Sequence, residues 1–227
     1  MQTRSRAACC LVHGLPGSTT IRCQGRAHST TSLRQGPQYR SASFQATKKV
    51  LVPLGNGTEE MEAVTIIDVM RRAGATVTVA SVESDLTVKC SRDVKIVADE
   101  LISHAAERQF DLIVLPGGAP GSEALKQSND LRDLLKQQQS NDKPYAAMCA
   151  APAVVLEAHG LLKGKKATAH PAFVSKLTDS SAAEQRVVVD GNLVTSRGPG
   201  TALEFALALV EQLYEVKKPK KLLCPWW

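Results

Sequence analysis

Residues 49–74, with the sequence KVLVPLGNGTEEMEAVTIIDVMRRAG, place a strand, a glycine-rich turn and a helix in direct succession. Apolar residues fill 49–54 almost without interruption, which is typical of a strand buried on both faces of a parallel sheet. A helix is predicted over 59–73, because glutamates begin it, arginines end it and Gly74 follows it. The segment therefore has the form of the units from which doubly wound α/β folds are built.

The chain repeats this alternation as far as residue 214. Further strands are predicted at 76–80, 110–115, 145–148 and 166–169, and a hairpin joins 186–189 to 193–196. Further helices are predicted near 99–107, 125–139, 152–158 and 201–214. This order predicts an α/β fold in which a doubly wound, mostly parallel sheet is sandwiched by helices.

The first 47 residues differ in composition from the rest. They contain six arginines, no aspartate or glutamate, and many serines and threonines. This composition is typical of an organellar transit peptide, so we expect residues 1–47 to lie outside the folded domain. Arg4 and Arg6 favour a mitochondrion, whereas the serine and threonine content suits a chloroplast equally well. A merely disordered tail and a cytosolic location are the alternatives.

Charge and hydropathy exclude two classes of protein. Removing those six arginines from the 28 basic residues leaves 22, which equals the number of acidic residues. A body without excess positive charge lacks the surface that a nucleic-acid-binding domain requires. No apolar run reaches the roughly 18 residues that a membrane span needs, so none is predicted.

The cysteines indicate free thiols. Three of the six fall in the predicted transit peptide, and the others, Cys90, Cys149 and Cys224, are widely spaced. Neither a disulfide framework nor a CxxC metal motif is present. We therefore expect a reducing compartment, at least one free thiol and no metal.

Three candidate positions follow predicted strands at the edge where doubly wound sheets bind ligands: Gly117-Gly118, Cys149 and His170. The glycines would let the backbone approach a ligand, although a plain strand-to-helix turn explains them as well. Cys149 stands where a strand turns into a helix, like a nucleophile elbow. There the helix N-terminus would favour the thiolate, and the Ala150 amide would be free to bind an oxyanion. An inert buried cysteine is the alternative.

Two acids and two further features have more than one interpretation. Glu62 and Glu59 both align with apolar helix positions, where a buried carboxyl would have a raised pKa and exchange protons with a thiolate. Surface acids that favour the helix dipole are the alternative. His170 is a candidate proton relay or a structural residue. Residues 196–200 are a candidate anion site or a plain glycine-rich helix entry.

Several motifs stand in an order that is found in one known family. They are GTEEME at 57–62, DVMRRAG at 68–74, CSRD at 90–93, VLPGG at 114–118, Cys149, and TSRGPGT at 195–201. Together they resemble the DJ-1 family of the DJ-1/PfpI superfamily over about residues 48–214. Residues 161–168 and 190–193 are similar to its plant branch, whose members often carry two tandem copies; one copy is present here.

The resemblance implies a flavodoxin-like fold, like that of class I glutamine amidotransferases, and a homodimer. It also implies a nucleophile, a protonated carboxyl that partners its thiolate, a nearby imidazole and an oxyanion-binding loop. In this chain the nucleophile would be Cys149, the carboxyl Glu62 and the imidazole His170. The oxyanion-binding loop would consist of Gly117 and Gly118 together with Ala150.

The activity implied is a glutathione-independent glyoxalase or deglycase that acts in defence against carbonyl and oxidative stress. Its substrates would be methylglyoxal, glyoxal, or early glycation adducts on proteins or nucleotides. The alternative is a non-enzymatic redox sensor or chaperone that uses oxidation of Cys149. Three features depart from the family: Ala151 replaces a common glycine, Val97 stands where some animal members have a second oxidisable cysteine, and residues 215–227 form a divergent tail.

Overall fold

The structure, a computed structural model, describes residues 47–215. The predicted transit peptide and the divergent tail with Cys224 therefore lie, apart from their innermost residues, outside the described residues. The strands are β1 (Lys49–Leu54), β2 (Thr76–Ser81), β3 (Thr87–Lys89), β4 (Lys95–Val97), β5 (Glu100–Leu101), β6 (Leu112–Leu115), β7 (Tyr145–Met148), β8 (Val187–Asp190) and β9 (Leu193–Ser196). The α-helices are α1 (Glu60–Arg72), α2 (Ile102–Ala105), α3 (Ala119–Gln127), α4 (Asn129–Ser140) and α5 (Ala202–Tyr214).

Seven strands form one sheet in the order β5-β2-β1-β6-β7-β9-β8. Neighbours are parallel except β8 and β9, which form the predicted antiparallel hairpin. Strands β3 and β4 form a separate antiparallel hairpin. The order and direction of the strands define the doubly wound fold that the alternation of elements predicted, in the flavodoxin-like form that the family resemblance implied.

Helices cover both faces of this sheet. On one face α1 and α5 pack together, and the buried side chains there include Ile66, Met70, Phe205 and Leu209. On the other face lie α2, α3 and α4, with Leu125, Leu131, Leu135 and Tyr145. Residues 50–54 of β1 are buried, as expected for a central parallel strand. None of the described helices is both long enough and apolar enough to cross a membrane.

The functional edge of the sheet lies where the connections diverge. Strand β1 leads through α1 to β2 on one side, whereas β6 leads to β7 on the other side. Doubly wound sheets generally bind ligands beyond the carboxyl ends of the strands at such a point, where the loops leave in opposite directions. Helix α1 begins at this edge, Gly117 and Gly118 follow β6, and Cys149 follows β7.

Four predicted elements differ from the structure. The helix predicted near 99–107 is only the four-residue α2, because Glu100 and Leu101 pair with β2 as strand β5. The predicted helix over 125–139 is two helices, because Ser128 ends α3 and its hydroxyl accepts the Leu131 amide to cap α4. Residues 166–169 form no strand, since the Thr168 amide donates to the Thr195 hydroxyl rather than to a strand carbonyl. The predicted helix over 152–158 is a five-residue π-helix, Pro152–Leu156.

Candidate active site

Cys149 occupies the turn that leaves β7. Its φ is +61°, a left-handed conformation that costs a non-glycine residue energy and is typical of functional turns. The turn is held on both sides, because the Cys149 amide donates to Ser196 O at 2.9 Å and the His170 amide donates to Cys149 O at 2.8 Å. The amides of Gly118 and Ala150 lie close enough to the sulfur to lower the pKa of the thiol, against the larger effect of burial. The local geometry is that of a nucleophile elbow.

Glu62 supplies the carboxyl beside this sulfur. It lies in the first turn of α1 with no exposed surface, and its Oε2 accepts the Gly117 amide at 2.7 Å. Glu59 instead caps the helix, where its Oε2 accepts the Glu62 amide at 2.8 Å. The structure therefore distinguishes the two glutamates that periodicity left equivalent.

Gly117 is the point where strand β6 touches both groups. A Cβ at this position would lie 2.4 Å from Cys149 Cβ and 2.7 Å from Glu62 Oε2, so only glycine fits. Its amide is engaged by Glu62, which leaves the Gly118 amide rather than that of Gly117 directed at the sulfur. The prediction from the sequence placed both Gly117 and Gly118 in the oxyanion-binding loop, whereas the structure gives their amides different partners.

Burial and mutual repulsion control the charge of the pair. Burial raises the pKa of the Glu62 carboxyl to about 7. Burial, followed by the negative charge of Glu62, raises the pKa of the Cys149 thiol to about 12. Two adjacent negative charges in a buried site are strongly disfavoured, so the pair keeps at least one proton at neutral pH. When that proton is on Glu62, the opposing charge disappears and the two amides act to stabilise a thiolate.

This balance corrects one expectation from the sequence. The helix N-terminus was expected to lower the thiol pKa, yet burial of Cys149 outweighs it. The helix that follows is only the π-helix Pro152–Leu156, which is too short for a large dipole. Glu62 Oε1 is buried and makes no hydrogen bond of standard geometry, although the carboxyl is close enough to the thiol for each to perturb the other's pKa. A proton on this carboxyl would remove its charge and so lower the cost of burying Oε1 without a hydrogen bond.

His170 is linked to Cys149 through the main chain rather than through its ring. Its Nδ1 accepts the Ala172 amide at 3.2 Å and thereby caps the 3-10 helix Pro171–Lys176. The ring also packs edge-on against Phe173. Among residues 47–215, no hydrogen bond joins the imidazole to Cys149 or Glu62. The structure thus brings Cys149, Glu62, Gly118 and Ala150 together, with the His170 ring at the border of the site.

Sequence reasoning missed the contribution of Glu60. Its carboxylate is 8% exposed and accepts the Ser91 hydroxyl at 2.7 Å and the Arg92 amide at 2.8 Å. Glu60 therefore fastens the loop between β3 and β4 to the start of α1. In the sequence it resembles any acid that favours the helix dipole. In the same loop, burial and the charges of Glu60 and Glu59 raise the pKa of Cys90 to about 11, which keeps this second thiol protonated.

Within residues 47–215, no three His, Cys, Asp or Glu side chains are grouped as metal ligands. The fold is a doubly wound α/β fold, and its site places Cys149 on the sharp turn after β7, beside the buried carboxyl of Glu62. The DJ-1/PfpI family matches residues 48–212, and the chain belongs to this family.

Two curated relatives illustrate the similarity. Protein DJ-1 homolog B of Arabidopsis thaliana is 56% identical over 198 residues, which are 87% of this chain and 44% of the relative. The chain thus spans less than half the length of this relative, and the same holds for Arabidopsis DJ-1 homolog A. The glutathione-independent glyoxalase DJR-1.2 of Caenorhabditis elegans is 35% identical over 183 residues, which are 80% of this chain and 96% of the relative.

Solved structures show the same relationship. Oxidized Toxoplasma gondii DJ-1 superposes with a TM-score of 0.75 at 48% identity, and the match covers 78% of this chain and 96% of that protein. The fold, with its parallel sheet between two helical layers, is therefore the one that this family uses.

Proposed function

We propose that the protein is a cofactor-independent glyoxalase and deglycase that acts on methylglyoxal, glyoxal or early glycation adducts. The observation that carries the proposal is the buried carboxyl of Glu62 beside Cys149, with the Gly118 and Ala150 amides directed at the sulfur. Similarity to a C. elegans protein named as a glutathione-independent glyoxalase supports the same activity.

Each group has a defined step in this chemistry. The Cys149 thiolate attacks the aldehyde carbon of methylglyoxal, and the resulting oxyanion of the hemithioacetal, held near the backbone amides, takes the proton of Glu62. The Glu62 carboxylate removes the hydrogen on the former aldehyde carbon, and the enediol that forms is protonated at the neighbouring carbon. The product is a thioester of lactate. Water hydrolyses it to lactate and restores the thiol, so no external oxidant or reductant is needed.

The test is methylglyoxal consumption and lactate formation by the full chain, without glutathione or added metal. Cys149→Ser should abolish lactate formation, and Glu62→Gln should lower the rate by about 10²–10⁴ if the carboxyl acts in general acid-base catalysis. Cys90→Ala, which removes the other buried thiol of the described region, is the matched control and should retain activity. A folded wild-type protein that forms no lactate would contradict the proposal.

A second function is favoured by the same carboxyl. Peroxide can oxidise the Cys149 thiolate to a sulfenate and a second peroxide can convert it to a sulfinate, with water released at each step. A protonated Glu62 could donate a hydrogen bond to the sulfinate. Mass spectrometry after mild peroxide treatment tests this redox-sensor or chaperone function. Two added oxygens on Cys149 at low oxidant, with no dicarbonyl turnover, would favour it over the glyoxalase.

We also propose that the protein is a homodimer. Large apolar side chains are exposed around α1 and β4, where Met61, Val64 and Val97 are 63%, 52% and 69% exposed. Val64 and Val97 border a surface hollow of about 330 Å³ in which Arg71 and Asp99 provide charges of both signs. A second copy related by a two-fold axis would bury this face against itself.

Residues 1–47 are proposed to direct the protein to a chloroplast or a mitochondrion, on the basis of their composition alone. Attached to a fluorescent protein, they should direct it to one of these organelles. A purely cytosolic signal would contradict the targeting proposal and leave the enzymatic proposal intact.

A further inference from the structure

A second hollow lies on the other side of the Cys149 turn. Its volume is about 260 Å³, and it opens between the segment around His170 and the entry to α5. The residues that line it are His170, Pro171, Arg186, Arg197 and 198–201. It contains the TSRGPGT motif, which the proposed chemistry at Cys149 does not use.

The hollow is joined to the nucleophile by the main chain. His170 donates its amide to Cys149 O, and Ser196, the residue before Arg197, accepts the Cys149 amide. Both walls of the hollow therefore begin at residues that hold the nucleophile turn in place. These two hydrogen bonds connect the lining of the hollow to the backbone of the turn that carries Cys149.

Two glycines keep the hollow open although neither is required by the backbone. Gly198 has an extended conformation with φ of 167°, and a Cβ added there would come no closer than 3.5 Å to His170 Cδ2. A Cβ added at Gly200 would meet no atom within 4 Å. Gly117 and Gly118, by contrast, would collide with their neighbours. The space at 198 and 200 is thus available for a ligand.

The charge in the hollow comes from two arginines with unequal partners. Arg186 is paired with both oxygens of Glu204, at 2.9 and 3.0 Å, and also donates to Gly200 O. Arg197 has a side chain only 25% exposed, and its acidic partner within the described residues is Glu184 at 3.5 Å, whose side chain is 94% exposed. The same guanidinium nitrogen donates to Glu184 O at 3.3 Å. An ion pair this long, to a carboxylate this exposed, contributes little to stability. A ligand anion can therefore replace Glu184 as the partner of Arg197.

We infer that this hollow binds the anionic group of the substrate, and that the preferred substrates are small carbonyl compounds carrying a carboxylate or a phosphate. Arg197 is the specificity-determining residue, with the open backbone at 198 and 200 beside it. The carbonyl end of such a molecule lies toward Cys149. The inference about substrates rests on the proposed function, whereas the anion site itself does not.

Calorimetric titration of the full chain with inorganic phosphate, and separately with acetate, tests the site without turnover. Arg197→Gln should weaken binding about ten-fold or more, because a charge-assisted hydrogen bond is lost. Glu184→Gln should tighten binding about two- to five-fold, because an exposed competing carboxylate is removed. Arg132→Gln removes one positive charge from the surface of α4 and should have no effect. Tighter binding of phosphate than of acetate, or the reverse, identifies the preferred group.

Turnover then tests the substrate class. Arg197→Gln should raise KM for the phosphate ester of hydroxypyruvaldehyde about ten-fold, and should change KM for uncharged methylglyoxal less than two-fold. No binding of either anion by the wild type, or equal losses in Arg197→Gln and Arg132→Gln, would overturn the site. If the protein turns over methylglyoxal but binds neither anion, only the inference about the anion site is overturned. If anion binding depends on Arg197 but neither dicarbonyl is turned over, only the proposed function is overturned.

Discussion

The two glutamates Glu59 and Glu62 lie one helical turn apart and have different chemistry because their surroundings differ. Glu59 accepts an amide at the helix start. Glu62 is enclosed between α1, Gly117 and Cys149, where desolvation raises its pKa to about 7. A carboxyl that holds a proton near neutral pH is suited to proton transfer. The same property gives the protein a measurable pH dependence of stability.

Glu62→Gln should increase the free energy of unfolding at pH 8 and leave it nearly unchanged at pH 4. The native state keeps the Glu62 proton up to about pH 7, whereas the unfolded chain releases it near 4.5, so wild-type stability falls as pH rises through this window. At about 1.4 kcal/mol per pKa unit the difference reaches roughly 3 kcal/mol. Urea unfolding at the two pH values measures it.

Glu211→Gln, an exposed position on α5, is the control and should change stability by less than about 0.5 kcal/mol at either pH. A Glu62→Gln variant whose stability difference from wild type is the same at pH 4 and pH 8 would show that this carboxyl titrates normally.

At the scale of elements, the site is made by three turns that leave neighbouring strands. The turn after β1 begins α1, the turn after β6 contains Gly117 and Gly118, and the turn after β7 contains Cys149. Gly118 has φ of +91°, and a Cβ there would lie 2.2 Å from Gly57 O and 2.7 Å from the Glu59 amide nitrogen. The backbones of the first two turns are therefore in direct contact.

Gly118→Ala should lower the free energy of unfolding by roughly 2–4 kcal/mol and reduce activity, because the methyl group would separate these turns. Gly74→Ala is the matched control, since Gly74 has a similar φ of +89° with no atom within 4 Å of the added carbon. Gly74→Ala should lower the free energy of unfolding by about 1–2 kcal/mol, because alanine must adopt the left-handed conformation there, and activity should be retained. Equal losses of stability and full activity in both variants would contradict the role given to Gly118.

At the scale of the whole molecule, the sheet is covered on both faces, yet apolar surface remains exposed on α1 and β4. The same helix α1 presents Glu62 inward and Val64 outward. A partner on this face would lie against the helix that supplies the buried carboxyl. Association and the active site would then be physically connected through α1.

Val97→Glu should convert the proposed dimer to a monomer, because an unpaired charge in an apolar interface is costly to bury. Light scattering after size-exclusion chromatography measures the molar mass. Val189→Glu, at a position 54% exposed on β8, is the control and should remain dimeric. A wild-type chain that runs as a monomer, or a Val97→Glu chain that stays dimeric, would contradict the assigned face.

Much of the fold follows from local patterns in the sequence. Helix α1 differs from its predicted bounds by one residue at each end, because its acids, arginines and following glycine are local signals. The β8–β9 hairpin and α5 were likewise predicted from their turns and apolar periodicity. Ser128 was overlooked, since a serine cap between two helices resembles a surface position within one helix.

Local patterns in this chain predicted the main alternation of strands and helices, though not β3, β4 and β5, together with the neutral body and the cysteine at a strand-to-helix turn. Only the tertiary structure decided which glutamate faces Cys149, that Gly117 binds the carboxyl while Gly118 reaches the sulfur, and that His170 is tied to the main chain of Cys149. The physical reason is that backbone propensity and periodicity act over a few residues. Burial, pKa and hydrogen-bond partners instead depend on segments that are distant in the sequence and meet when the sheet assembles, as Glu62 and Gly117 do across 55 positions.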